Sequence, residues 1–169
     1  TLGQVLLRLS PPNNDRLVRG DTFVKQVGGA ELNVAVGVAL LGLRTGVISK
    51  LPSHDMGSFM KGKIRSYGVS DDFFMYDDSP SARVGIYYYE NGAYPRKPKV
   101  IYDRANSSFY SLKIDEIPEK AYTASRCFHT SGITLALSPK VRETTIEMIK
   151  RFKAAGTLVS FDVNFRGNL

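Results

Sequence analysis

Gly28-Gly29-Ala30-Glu31-Leu32-Asn33 joins a strand pattern over residues 23–27 to a helix pattern over residues 31–41. Paired glycines between a strand and a helix let backbone N–H groups approach a ligand closely at the positive end of the helix. A tight turn with an asparagine near the cap accounts for the same residues, so this stretch alone leaves both interpretations open. The helix pattern consists of apolar residues at helical spacing followed by a glycine at the C-cap: Leu32, Ala35, Val36, Ala39, Leu40 and Gly42.

Strand and helix patterns alternate along the rest of the chain. The apolar runs predict strands over residues 2–9, 45–49, 72–76, 126–130 and 158–163, and helices over residues 56–67 and 139–155. Ser138-Pro139 supplies a cap and a first-turn proline to the last of these helices. Strands separated by helices predict a doubly wound, mostly parallel α/β sheet. Two β-branched and aromatic runs, 82–90 and 99–103, predict a long hairpin outside that sheet.

Composition limits the classes to which this protein can belong. The 169 residues are 43% hydrophobic and 23% charged, which is typical of one globular domain or of a piece of a larger one. The net charge of +7 is scattered apart from residues 96–99, so we expect no nucleic-acid partner. We also expect no membrane span, because no apolar run approaches the roughly 20 residues that one needs. Both ends look cut, and the start shows no secretory signal.

Several familiar signals lead to no site. Residues 57–64 imitate a phosphate-binding loop, but Ile64 replaces the required Ser or Thr and the segment lies inside a predicted helix. His54 and His129 have no neighbours at metal-ligand spacing, so we expect no resident metal. Cys127 lies in an apolar strand pattern and is expected to be a buried, inert thiol. A single cysteine excludes an internal disulfide and favours a reducing, cytoplasmic location.

Polar residues follow two of the predicted strands. Tyr102-Asp103-Arg104 ends one strand, and Asp162-Val163-Asn164-Phe165-Arg166 ends another. Ligands bind at the carboxyl ends of strands in open α/β sheets, and a guanidinium group binds carboxylates and phosphates through two hydrogen bonds. Each arginine alone would more often form a surface ion pair. Together with the glycine pair, the two arginines favour a pocket for an anionic ligand.

At these residues the sequence resembles the ribokinase-like (PfkB) sugar kinases, and most closely the 2-keto-3-deoxygluconate kinases. The resemblance runs through nearly the whole chain and is clearest in residues 6–12, 28–35, 101–104, 129–134 and 162–166. It implies a ribokinase-like α/β fold: a doubly wound, mostly parallel sheet flanked by helices, with a small β-sheet lid whose strands lie within about residues 5–27 and 82–104. A lid of this kind often pairs between subunits, so a homodimer is expected.

The resemblance also implies an activity. The protein would transfer the γ-phosphoryl group of ATP, with Mg²⁺, to the 6-hydroxyl of 2-keto-3-deoxygluconate and give 2-keto-3-deoxy-6-phosphogluconate. Asn164 would lie toward the ATP phosphates. The substrate would contact a set of residues drawn from the motifs quoted above: Gly29, Asn33, Tyr87, Tyr102, Arg104, Ile133 and Arg166.

The chain departs from the family in two ways. Family members are about twice as long, and their second half holds the nucleotide-binding loops and the Gly-Ala-Gly-Asp element with the catalytic base, so no catalytic residue is expected here. Gln4 stands where the family usually has Glu, which argues against a charge at that point. Two alternatives remain open: a related kinase for a neutral sugar such as fructose or ribose, and a sugar-binding or dimerisation module without turnover.

Overall fold

The computed structural model describes residues 1–167. Its strands and longer helices follow one another in this order: β1 (Leu6–Ser10), β2 (Val24–Gly28), α1 (Ala30–Leu40), β3 (Gly46–Pro52), α2 (Asp55–Ser66), β4 (Ser70–Asp77), β5 (Gly85–Glu90), β6 (Lys99–Asp103), α3 (Lys120–Thr123), β7 (Cys127–Ser131), α4 (Gly132–Ala136), α5 (Pro139–Ala154) and β8 (Leu158–Asp162). Apart from the first strand, the predicted elements have the predicted type, and most boundaries move by one to three residues; the short helices α3 and α4 were not predicted.

A parallel sheet forms the centre of the molecule. Strand β3 pairs with β4, and β7 pairs with β8, both in parallel. The first residues of the chain join the two pairs: Leu2 bridges Ile48, and its N–H donates to the carbonyl oxygen of His129 at 2.9 Å. The mostly parallel α/β sheet predicted from the sequence is thereby confirmed.

The single strand predicted over residues 2–9 is wrong. Leu2 belongs to the parallel sheet, whereas β1 begins at Leu6 in a different sheet. Both segments are apolar and buried, so the hydrophobic pattern runs on without a break where the chain changes partners.

Helices cover both faces of the parallel sheet. Val47 and Ile48 are consecutive in β3 but belong to different hydrophobic cores, because successive strand residues point to opposite faces. Helices α1 and α2 pack on the Val47 side. On the Ile48 side, α5 packs through Met148 and Phe152, and the Phe152 ring stacks on Phe128 with ring centres 4.0 Å apart. This double covering is what the alternating strand and helix patterns predict.

A second, four-stranded sheet has the order β2-β1-β5-β6. Strands β1 and β5 are parallel, and the two outer pairings are antiparallel, which confirms the hairpin predicted from residues 82–103. One face packs Leu7 and Ile86 against the core of α1 and α2. The opposite face carries Arg8, Tyr87 and Tyr102, which are direct cross-strand neighbours. We call this the open face of the four-stranded sheet.

Helix ends and one cysteine complete the comparison. The Ser138 hydroxyl accepts a hydrogen bond from the Val141 N–H at 3.2 Å and caps α5 as predicted. Cys127 is exposed, which corrects the expectation of a buried thiol. It is the first residue of β7 and pairs with Leu158, which is 68% exposed at the start of the outer strand β8. No helix within residues 1–167 has the length and apolar character needed to cross a bilayer.

Candidate functional site

The open face of the four-stranded sheet brings together three of the residues singled out in the sequence. Tyr87 lies opposite Tyr102 in the β5–β6 pairing, and their ring centres are 6.0 Å apart. The Arg104 guanidinium lies over the Tyr102 ring, with its Cζ atom 5.5 Å from the ring centre. Cross-strand partners project from the same side of a sheet, so strand register places Tyr87 beside Tyr102, while Arg104 comes directly after the last residue of β6. Tyr87, Tyr102 and Arg104 are called the sheet-face cluster below.

The glycine pair borders this cluster at the end of β2. A methyl group at Gly28 would collide with the Tyr87 hydroxyl, so the absence of a side chain lets this phenol approach the backbone. Gly29 has a φ of 150°, and a Cβ there would lie 2.7 Å from the Gln4 carbonyl oxygen. A side chain at Gly28 would therefore displace the Tyr87 ring from the backbone, whereas Gly29 is required both by the neighbouring Gln4 carbonyl group and by its own backbone conformation.

Gln4 holds Arg104 in place. The Arg104 Nε–H donates to Gln4 Oε1 at 2.7 Å. The Gln4 amide nitrogen in turn donates to the Arg104 carbonyl oxygen at 3.1 Å and to Ser107 Oγ at 2.7 Å. Within the described residues neither terminal nitrogen of the Arg104 guanidinium has a hydrogen-bond partner, so both are open to solvent or to a ligand.

Burial shifts the titration of this region. Desolvation lowers the pKa of the Arg104 guanidinium, while Tyr110, Tyr102 and Glu31 act in the opposite direction. Desolvation raises the pKa of the Tyr87 hydroxyl, and the positive charge of Arg8 opposes that rise. At neutral pH the guanidinium of Arg104 and the hydroxyl of Tyr87 can therefore both donate hydrogen bonds.

A separate cavity of about 280 Å³ contains the other predicted residues. It lies between α4 and the segment after β8, and its lining includes Ile133, Asn164 and Arg166. Asn164 has a φ of 37°, and its N–H donates to Asp162 Oδ1 at 2.9 Å, which turns the chain sharply after β8. Asn164 and Arg166 are thus neighbours along one wall of this cavity.

Glu31 connects the two groups. It is 1% exposed at the start of α1, and its Oε1 accepts hydrogen bonds from Ser131 Oγ at 2.5 Å and Thr134 Oγ1 at 2.8 Å. These contacts connect the Gly28-Gly29 turn, which we call the glycine junction, to the β7–α4 turn that carries Ile133. Asn33 lies outside this contact: it is exposed on α1, and its backbone N–H donates to the Gly29 carbonyl oxygen at 2.9 Å. Its proposed role as a substrate contact stays a prediction.

Sequence reasoning missed several residues that shape the site. Glu31 belongs to the glycine motif and Gln4 departs from a family pattern, but neither pattern indicates the hydrogen bonds that these side chains make. Tyr110, which follows β6 in a short 3-10 helix (Ser108–Ser111), gave no signal at all. Arg8 lies over the Tyr89 ring at 4.3 Å on the open face, where only strand register could have placed it.

Comparison with known proteins gives this geometry a context. The model of the pfkB family carbohydrate kinases matches residues 1–169. The chain belongs to the PfkB family of carbohydrate kinases. Its α/β fold is the ribokinase-like one that the sequence resemblance implied.

Three similar proteins illustrate the likeness. The chain is 39% identical over 169 residues to the 2-dehydro-3-deoxygalactonokinase of Haloferax volcanii, covering all of this chain and 52% of the relative. The crystal structure of 2-dehydro-3-deoxygluconokinase from Thermotoga maritima is 37% identical, with a TM-score of 0.93 over 99% of this chain and 51% of that one. A sugar kinase from Pyrococcus horikoshii, solved in complex with ATP, is 26% identical with a TM-score of 0.84, covering 99% and 53%. The PfkB chain thus spans about half the length of each of these three proteins.

Proposed function

We propose that the intact protein carrying this chain is a sugar-acid kinase that phosphorylates the 6-hydroxyl of 2-keto-3-deoxygluconate with ATP. The observation that carries the proposal is the sheet-face cluster, in which Arg104 keeps both terminal nitrogens available beside two tyrosine rings. Membership of a carbohydrate kinase family supports the phosphoryl transfer. Similarity to 2-dehydro-3-deoxy sugar-acid kinases supports the class of substrate.

The cluster suits a sugar acid for chemical reasons. A guanidinium group donates two parallel hydrogen bonds to a carboxylate, and such charge-assisted bonds are about twice as strong as neutral ones. The Tyr87 and Tyr102 hydroxyls can bond the hydroxyl groups of a sugar, while their rings cover its carbon atoms. In this proposal Arg104 binds the carboxylate, Tyr87 and Tyr102 flank the carbon chain, and the Gly29 backbone borders it.

The cavity beside α4 is proposed to extend the site toward the nucleotide. Ile133 and Arg166 would contact the far end of the substrate, and Asn164 would lie near the ATP phosphates. An ATP complex of a family member supports the choice of nucleotide. Mg²⁺ is expected to accompany ATP, but no group of three His, Cys, Asp or Glu side chains within the described chain could hold it, so none of these residues is proposed as a metal ligand.

The four-stranded sheet is proposed to act as a lid over the sugar and as a dimer interface. Its outer strands β2 and β6 each have one unpaired edge among the described residues, and Val24, Val100 and Ile101 on them are 42–47% exposed. An exposed sheet edge with apolar residues favours pairing with a second copy. A cytoplasmic location belongs to the same proposal.

The epimeric acid 2-keto-3-deoxygalactonate is the second candidate substrate. It differs from the gluco acid in the configuration of one hydroxyl-bearing carbon, and the Haloferax volcanii relative carries the corresponding name. Arg104 would bind the carboxylate of either acid in the same way, so the cluster selects for the acid and not for the epimer.

The experiment is a comparison of phosphorylation rates with the intact protein and ATP. The two keto-acids, gluconate and fructose are supplied as acceptors, and the product is mapped by phosphorus and carbon NMR. We expect turnover of one or both keto-acids with the phosphate on C6. Preferential turnover of fructose would discard the sugar-acid proposal, and sugar binding without turnover would favour the binding module.

A further inference from the structure

Gln4 is a buried amide whose three hydrogen bonds all serve one neighbouring segment. It is 3% exposed, and its partners are Arg104 Nε–H, the Arg104 carbonyl oxygen and Ser107 Oγ. Gln4 and Arg104 are 100 residues apart in sequence, so this contact joins the segment before β1 to the segment after β6. The Gln4 amide thus hydrogen-bonds both the side chain and the main chain of Arg104.

Hydrogen-bond chemistry determines the orientation of this amide. Arginine Nε–H can only donate and a backbone carbonyl oxygen can only accept, so Oε1 must face the guanidinium and Nε2 the carbonyl. A rotated amide would place donor against donor and acceptor against acceptor. Because Nε is already bonded to Gln4, the guanidinium is held in place, and the end-on pair of N–H groups on its two terminal nitrogens remains available as a fork.

We propose that Gln4 is a positioning residue, which acts through Arg104 to hold the guanidinium fork ready for the carboxylate of the substrate. This inference rests on the proposed function, because it takes Arg104 to be the carboxylate-binding group. Preorganisation of a charged side chain removes part of the entropy cost of binding. Gln4 should therefore affect the affinity for acids, and it should do so only while Arg104 is present.

The test uses four forms of the intact protein: wild type, Gln4→Met, Arg104→Ala and the double variant. Methionine has nearly the shape of glutamine but cannot bond Nε. We expect Gln4→Met to raise KM for the keto-acid roughly three- to tenfold with kcat within about twofold, because the guanidinium loses the charge-assisted acceptor that orients it and only part of that loss reaches ligand binding. In the Arg104→Ala background the same change should add almost nothing, because the group through which Gln4 acts is gone.

Gln4→Glu serves as the conservative rescue. It restores an acceptor for the Arg104 Nε–H but sets a second acceptor against the Arg104 carbonyl oxygen, so its KM should lie between those of wild type and Gln4→Met. Ser107→Ala is the control for loosening of the loop, and its KM should stay near that of wild type. Unchanged KM in Gln4→Met, or fully additive effects in the double variant, would overturn the inference.

A second readout is independent of the substrate. NMR exchange of the Arg104 Nε–H with solvent should be slow in the wild type and in Gln4→Glu, and fast in Gln4→Met. If the wild type phosphorylates only neutral sugars, the proposed substrate fails, while this signal still shows whether Gln4 positions Arg104. Equal exchange rates in all three forms would overturn the positioning role whatever the substrate.

Discussion

At the scale of single residues, the site depends on how closely side chains approach the backbone at the two glycines. Gly28 allows the Tyr87 hydroxyl to reach the main chain, and Gly29 accepts a backbone conformation that other residues rarely adopt. Arg104 is oriented by one amide and partly desolvated. Each of these residues works through a neighbour that is remote in sequence.

Gly29→Ala should destabilise the fold by about 1–3 kcal/mol, since the new methyl group meets the Gln4 carbonyl oxygen and φ lies in a sparsely populated region. Chemical denaturation of the intact protein measures this. Gly37→Ala is the matched control: Gly37 lies in α1 with open space around it, so alanine there should stabilise by about 0.5–1 kcal/mol. Equal effects at the two positions would contradict the assigned role of Gly29.

The sequence predicted the members of the site better than their supports. Tyr102 and Arg104 lie two residues apart at the end of a recognisable strand, so the strand pattern predicts that both side chains project to the same side. Gln4 could not be assigned the same way, because its partners lie 100 residues away and amide hydrogen bonds leave no periodic trace. The burial of Glu31 was equally hidden, since a glutamate in the first turn of a helix is usually solvated.

At the scale of elements, buried polar contacts hold α1, β7 and α4 in register. Glu31 connects the start of α1 to Ser131 and Thr134. His129, two residues earlier in β7, makes a ring hydrogen bond through Nδ1 with Ser160 Oγ of β8 at 3.0 Å. These contacts set the distance between the glycine junction and the cavity beside α4.

Glu31→Ala should lower the free energy of unfolding by about 1.5–3 kcal/mol, because two buried hydroxyls lose a charged acceptor. Glu147→Ala on the surface of α5 is the control. It removes only an exposed i,i+4 pair with Arg151 and should cost less than about 1 kcal/mol. Urea denaturation measures the free energy of unfolding of both variants. A loss in Glu31→Ala as small as that in Glu147→Ala would contradict a stabilising role for the hydrogen bonds of Glu31 to Ser131 and Thr134.

His129 should make stability depend on pH. Burial is the main cause that lowers its folded-state pKa, so on acidification the unfolded chain binds this proton before the folded protein does. The contribution to stability is therefore complete above the unfolded pKa of about 6.5 and declines as pH falls from there toward the folded pKa. Denaturation of the wild type and His129→Gln between pH 8 and 5 measures it: the slope should be smaller in the variant, and identical slopes would refute the assignment.

The outer strand β6 gives a test of the proposed dimer. Ile101 is 44% exposed, and Ile101→Lys places a charge on this strand edge. The variant should raise the dissociation constant of the dimer at least tenfold, as measured by sedimentation velocity. Leu43→Lys, which alters an exposed apolar residue after α1, should leave association unchanged. A monomeric wild type, or equal behaviour of the two variants, would argue against pairing through this sheet.

At the scale of the whole molecule, one doubly wound α/β fold carries both the sheet-face cluster and the cavity beside α4. Alternating patterns predicted the doubly wound sheet correctly, because each apolar face had to be buried by the next element along the chain. The separation of Leu2 from β1 could not be predicted in this way, since it depends on which sheet each apolar segment joins. In the proposed function, phosphoryl transfer itself depends on residues beyond those described.

Binding of the substrate carboxylate by Arg104 is tested by the ratio of kcat/KM for the keto-acid to kcat/KM for fructose, in the wild type and in Arg104→Ala. We expect the wild type to prefer the acid and the variant to lose roughly ten- to a hundredfold of that preference, which is the value of a charge-assisted contact. Arg65→Ala, which alters an exposed arginine in the last turn of α2, is the control and should keep the wild-type ratio. An unchanged ratio in Arg104→Ala would contradict the assignment of the sheet-face cluster to the carboxylate.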